Sequence, residues 1–153
     1  MPLPAGCANR LKTQLDCLTT VLAGTADGSL ERRPIADKWS PKENLAHLAR
    51  YHEVFLERLR RILSEERPAL GRYRAEDDPE WPGWQALPAS EITSRLASLR
   101  AKLLTEVDRL SDDELGRIGR HPRFGEMTAA QWLEFFLLHE AHHLFVVMQR
   151  VRE

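Results

Sequence analysis

The stretch LLHEAHHLF, residues 137–145, places His139 and His143 four residues apart. On a helix that spacing puts two imidazoles on one face, one turn apart, where both can reach a single metal ion. At about 100° per residue the same face carries Trp132, Phe135, Phe136, Val146 and Val147, so the pair stands in the middle of an apolar sector. An unpartnered imidazole there costs about 1–3 kcal/mol. A divalent cation would satisfy both rings and keep both neutral. Two core histidines, each bonded to a backbone carbonyl or a carboxylate, are the other reading of the pattern. His142 falls off this face and reads as a partly exposed histidine. HEAHH also matches the H-E-x-x-H spacing of zinc proteases, which would make Glu140 a base. The extended form of that motif fails, because Val146 and Gln149 occupy its next two positions. Glu140 lies at the edge of the apolar sector and reads as a solvated helix glutamate. A third ligand must come from upstream, from His47, His52 or His121.

Four helical patterns must position these groups. The first spans about Asn9–Ala23, with Leu11, Leu15, Leu18 and Leu22 in a stripe. The second spans Pro41–Leu63. It opens with Ser40 as N-cap, Pro41 at the first position and Glu43 at the third, a capping box. The third spans Ser90–Leu110 and the fourth Thr128 to about Val151, with Thr128 and Gln131 forming another box. Ser111 and Glu114 repeat that signature for a short helix. No stretch alternates like a strand. The connection Glu65–Ala89 is long and proline-containing, and its Trp81 and Trp84 argue for packing. The expected architecture is an all-α four-helix bundle, one domain over 1–153, with one long crossover connection. On the second helix the stripe is centred near Leu48, His52, Leu56 and Leu59, so periodicity aims His52 inward and leaves His47 to one side.

The chain has 153 residues, 22 basic and 23 acidic, for a formal charge of −1. That balance argues against a polycationic nucleic-acid binder. Two cysteines exclude a disulfide scaffold. Cys7 reads as a terminal thiol and Cys17 as a packed one. No window is apolar enough for a membrane helix, and residues 1–10 lack an export signal, so a cytoplasmic protein is expected. Leu133, Leu137, Leu144, Met148 and Val151 form a second apolar stripe on the last helix, from which a homodimer is expected. Glu43, one turn before His47, could orient its ring or serve only as a cap. Trp39 reads as a plug beside the helix start, with Trp81 and Trp84 near the pocket mouth, and His121 as structural.

Three segments resemble the DinB-like superfamily of damage-inducible four-helix-bundle proteins: KWSPKENLAHL (38–48), SRLASLRAKLLTEVDRLSDDEL (94–115) and HPRFGEMTAAQWLEFFLLHEAHHLFVVMQ (121–149). The resemblance spans most of the chain from Lys38 onward. It implies that His47, His139 and His143 bind a divalent metal, nickel or zinc. It also implies an enzyme that activates a low-molecular-weight thiol for transfer to an electrophilic substrate. A metal-dependent hydrolase at the same site, or a non-catalytic stress-associated metal-binding bundle, are the alternatives. Many relatives carry an acid shortly after the second-helix histidine. Here Arg50, Tyr51 and His52 fill that region, and Glu53 is the next acidic residue.

Overall fold

A computed structural model describes residues 2–153. The first helical arm is broken: α1 (Ala5–Thr13) tightens into a 3-10 turn over Gln14–Asp16 before α2 (Cys17–Val21). The tight turn falls where Gln14 Nε2 reaches across to the last helix, donating to Leu137 O at 3.0 Å. After α3 (Asp27–Glu31) comes α4 (Pro41–Ser64). Its capping box is present: Glu43 N–H donates to Ser40 Oγ at 3.1 Å, and Ser40 N–H donates to Glu43 Oε2 at 2.8 Å. The long connection contains a short α5 (Trp81–Ala86), whose Trp81 and Trp84 are buried. Then follow α6 (Ala89–Val107), α7 (Asp112–Leu115) and α8 (Ala129–Arg152). The boxes Ser111–Glu114 and Thr128–Gln131 both form, so each helix start satisfies two orphan donors.

One expectation fails between α7 and α8. Residues 118–128 form an antiparallel hairpin, β1 (Ile118–His121) and β2 (Gly125–Thr128). Its strands, IGRH and GEMT, are too short and too polar to alternate. What holds the hairpin is long-range. Leu70 N–H donates to Arg120 O and Arg120 N–H to Pro68 O, both at 2.9 Å, so the long connection is stitched to its edge. Gly119 lies against α4 and α8, and a Cβ there would meet Ile62 Cγ1 at 2.8 Å and Trp132 Nε1 at 2.9 Å. Gly125 takes φ +73° to close the turn.

Within the bundle, α4 packs against α6 on one side and α8 on the other, and α1 meets α6 and α8 to close it. The core has two apolar parts. One contains Leu11, Phe55, Leu103, Trp132 and Phe136; the other contains Leu45, Leu48, Ile92, Leu96 and Leu144. Between them runs a buried polar layer. Arg100 ion-pairs with Glu140, donates from Nε to His52 Nε2 at 3.1 Å, and donates from Nη1 to Leu11 O at 2.8 Å. Gln14 completes Glu140 at 2.9 Å. Glu140 is therefore 1% exposed and not the solvated residue its edge position suggested. Its cation sits 40 residues away on α6.

The stripe Leu133, Leu137, Leu144 is buried by the chain itself. Leu133 and Leu137 join Cys7 and Leu11, while Leu144 joins Leu15, Leu18 and Val21. Met148 and Val151, the rest of the stripe, are half-buried. The cysteines are also reversed. Cys7 is fully buried, and burial chiefly pushes its thiol up to about 11, whereas Cys17 is exposed. Among the described residues no helix is long and apolar enough to cross a membrane.

Candidate metal centre

His47 projects from the first half of α4, and His139 and His143 project from successive turns of α8. One ligand-capable nitrogen from each lies within 4.8 Å of the others. The ring centroids form a triangle with sides of 5.1, 4.5 and 4.7 Å. His47 Nε2 and His139 Nε2 approach to 3.1 Å. Two imidazole nitrogens on one tetrahedral zinc, at about 2.0–2.1 Å each, stand roughly 3.4 Å apart, so the spacing is close to that of a shared cation.

Burial sets the electrostatics. Desolvation lowers His47 to about 4, and the nearby Glu76 charge opposes this only in part. Desolvation, reinforced by neighbouring histidines, takes His139 to about 3 and His143 to about 2. All three are neutral donors at physiological pH, the state a metal requires. His143 Nδ1 pairs with Asn44 Oδ1 at 2.8 Å, which fixes the tautomer that leaves Nε2 free. Asn44 is held in turn through Nδ2, which donates to Ser40 O at 3.0 Å. The Nδ1 atoms of His47 and His139 are buried without a protein partner. Each of these two rings therefore keeps one buried nitrogen unpaired, while their Nε2 atoms face each other at the spacing a shared cation would use.

Aromatic walls surround the rings. Trp39 lies 5.0 Å from His47 and 6.2 Å from His143. Tyr51 lies 4.3 Å from His139, and Tyr73 stacks on His47 at 5.8 Å. Beside His47 and His139 opens a cavity of about 480 Å³. Its far wall is not part of the bundle. Arg72 and Tyr73 come from the long connection, and His121 to Phe124 from the hairpin turn.

The choice that periodicity favoured is corrected here. His52 is fully buried in the polar layer, with Nδ1 donating to Leu48 O at 2.7 Å and Nε2 accepting from Arg100. Helix α4 has two inward faces, one toward α6 and one toward α8, and the apolar stripe marks only their average. Glu43 is a cap whose carboxylate is taken up by Ser40, Arg33 and Gln85. Glu53 pairs with Arg50, not with the histidines. From the long connection, Glu76 acts on His47 through its charge, and Asp78 accepts from Tyr73 OH at 2.7 Å. His121 is structural, its Nδ1 accepting from the backbone N–H of Arg123 and Phe124 across the turn. His142 is exposed. Asn44 was missed by sequence reasoning. Its signal was a polar residue one turn before His47, with no capping role of its own.

The model of the DinB superfamily matches residues 10–146. The chain belongs to the DinB superfamily. It is 28% identical over 135 residues to the uncharacterized protein YuaE of Bacillus subtilis, covering 80% of this chain and 83% of that one. It is 26% identical over 108 residues to the Oceanobacillus iheyensis protein named "Putative metal-dependent hydrolase OB0782", covering 69% and 61%. Among solved structures it resembles YfiT of Bacillus subtilis with a TM-score of 0.79 at 20% identity, over 96% of this chain and 85% of that one. YfiT is described as "a probable metal-dependent hydrolase with an unusual four-helix bundle topology". It also resembles TT2238, a four-helix bundle protein, with a TM-score of 0.66 at 25% identity, over 93% and 94%. A DinB-superfamily bundle carrying a three-histidine cluster is the common ground of fold, family and geometry.

Proposed function

We propose that this DinB-superfamily protein is a metal-dependent enzyme in which His47, His139 and His143 hold a divalent cation, zinc or nickel, and which activates a low-molecular-weight thiol for transfer to an electrophile. The observation that carries the metal is the convergence of three neutral nitrogen donors, two of which, on His47 and His139, line a cavity. A bound divalent ion would supply a Lewis acid that lowers the pKa of a nucleophile beside it. Three protein ligands leave room for that nucleophile, whereas structural zinc sites are closed by four.

The chain's own residues set the conditions. Asn44 orients His143. Trp39, Tyr51 and Tyr73 surround the rings and limit water. The thiol reading is favoured by the acid–base inventory. No Asp or Glu lines the cavity among the described residues. Glu140, which the H-E-x-x-H spacing offered as a base, is locked to Arg100. Water, with a pKa of about 15.7 in bulk, benefits from a carboxylate base. A thiol near 8.5 needs far less help. Hydrolysis at the same site is the second reading, favoured by the description of the Oceanobacillus iheyensis relative and of YfiT as metal-dependent hydrolases, "putative" and "probable" respectively.

Metal analysis of protein purified without added metal, followed by turnover assays, tests this. The expected result is stoichiometric zinc or nickel and thiol-dependent consumption of an electrophile, both lost in His139→Ala. Ester hydrolysis without thiol transfers the assignment to the second reading. Stoichiometric metal in His139→Ala defeats the site.

A further inference from the structure

The cavity beside the histidines is strongly one-sided in charge. Arg58, Arg72 and Arg123 line it. Elsewhere Arg10, Arg33, Arg50 and Arg100 each meet a carboxylate. Among the described residues the three cavity arginines meet none. Arg58 is the telling one, because it is only 7% exposed. Its guanidinium donates to Tyr51 OH at 2.9 Å and to Gly71 O at 2.6 Å, both neutral acceptors. It lies over the faces of Tyr51 and Trp132 at 5.7 and 5.6 Å. A buried cation without a counter-charge is costly, and an anion from outside removes that cost.

Arg72 and Arg123 approach from two different segments, the long connection and the hairpin turn. The same three positive charges act together on His121, which, after the effect of burial, they lower further. The rest of the wall is aromatic: Tyr51, Tyr73, Phe124 and Phe135. A volume of about 480 Å³ suits a small molecule.

We propose that this cavity binds a small substrate with an apolar body and an anionic oxygen group, a carboxylate in its simplest form, which Arg58, Arg72 and Arg123 hold while its other end lies at His47 and His139. Guanidinium groups match a carboxylate with paired charge-assisted hydrogen bonds. The inference rests on the metal-enzyme reading only for where the reacting end lies; the anion subsite stands on the arginines alone.

Calorimetric titration with hydrocinnamate and with its neutral amide separates the two claims. Both probes are titrated into metal-loaded protein, into chelator-stripped protein, and into the Arg72→Gln, Arg123→Gln double variant. Those two side chains are exposed, so the fold does not depend on them. The acid should bind at least about ten-fold more tightly than the amide, and the double variant should lose about ten-fold for the acid alone with unchanged metal content. Equal binding of acid and amide overturns the proposal, as does no heat from the acid at millimolar concentration. Acid binding that survives in the double variant but vanishes on stripping places the carboxylate on the metal; it overturns the arginine subsite and leaves the metal reading intact. Arginine-dependent binding in a protein that takes up no metal supports the subsite and defeats the metal reading.

Discussion

Asn44 is the side chain on which the geometry of His143 depends. Its Oδ1 accepts from the ring, and its Nδ2 is anchored to the carbonyl of Ser40, the N-cap of α4. Asn44→Ala should weaken metal affinity about 10-fold or more, as loss of such an orienting partner typically does. Asn44→Asp, which keeps the acceptor, should not, and competition titration against a chromophoric chelator reads the difference. A second residue-scale prediction concerns pH. His52 is held near 3 by burial and by the Arg100 charge, and burial likewise lowers His47, His139 and His143. In the unfolded chain each titrates near 6.5. As pH falls below about 6.5 the unfolded chain takes up protons that the folded one refuses. Stability is therefore complete above that value and is lost on acidification toward about 3. The slope reaches about 1.4 kcal/mol per pH unit for each such histidine. The urea midpoint of metal-free protein should fall between pH 7 and pH 5; a flat midpoint would mean that the rings are not buried and neutral.

The elements differ in how plainly their residues announce them. The three capping boxes and the i, i+4 histidine pair are local patterns, and each formed where its spacing placed it. The hairpin was invisible because its cohesion is tertiary: a ladder to the 68–70 segment, and Trp132 Nε1 donating to Gly119 O at 3.3 Å. Glu140 was misread for the same reason, since its partners belong to α6 and the turn after α1. Gly119→Ala tests the hairpin's seating directly. The added methyl has no room beside Ile62 and Trp132. Overpacking of this kind costs about 1–3 kcal/mol. Chemical denaturation should show that loss, and an unchanged midpoint would mean the hairpin sits away from α4.

At the scale of the molecule, the three-histidine cluster ties α4 to α8. These helices also share the polar layer of His52, Arg100 and Glu140 one step deeper in the bundle. A cation that binds only the folded chain stabilises it by about 2.7 kcal/mol at a hundred times its Kd. For a domain of this length that is a rise of roughly 5–10 °C in Tm. Differential scanning fluorimetry with and without chelator should show the shift, and His143→Ala should abolish it. Overall helical architecture could be read from amphipathic stripes, whereas the third ligand could not, because one stripe cannot report two inward faces of α4.

The division of labour in the walls has a consequence for redesign. The nitrogen donors stand on rigid rods, while the opposite boundary presents two short exposed windows, Arg72 and residues 122–124, beside Tyr73 and His121, which hydrogen bonds hold in place. Randomised libraries confined to those two short windows would alter which molecules are admitted while sparing cation affinity, making the domain a chassis with an exchangeable doorway.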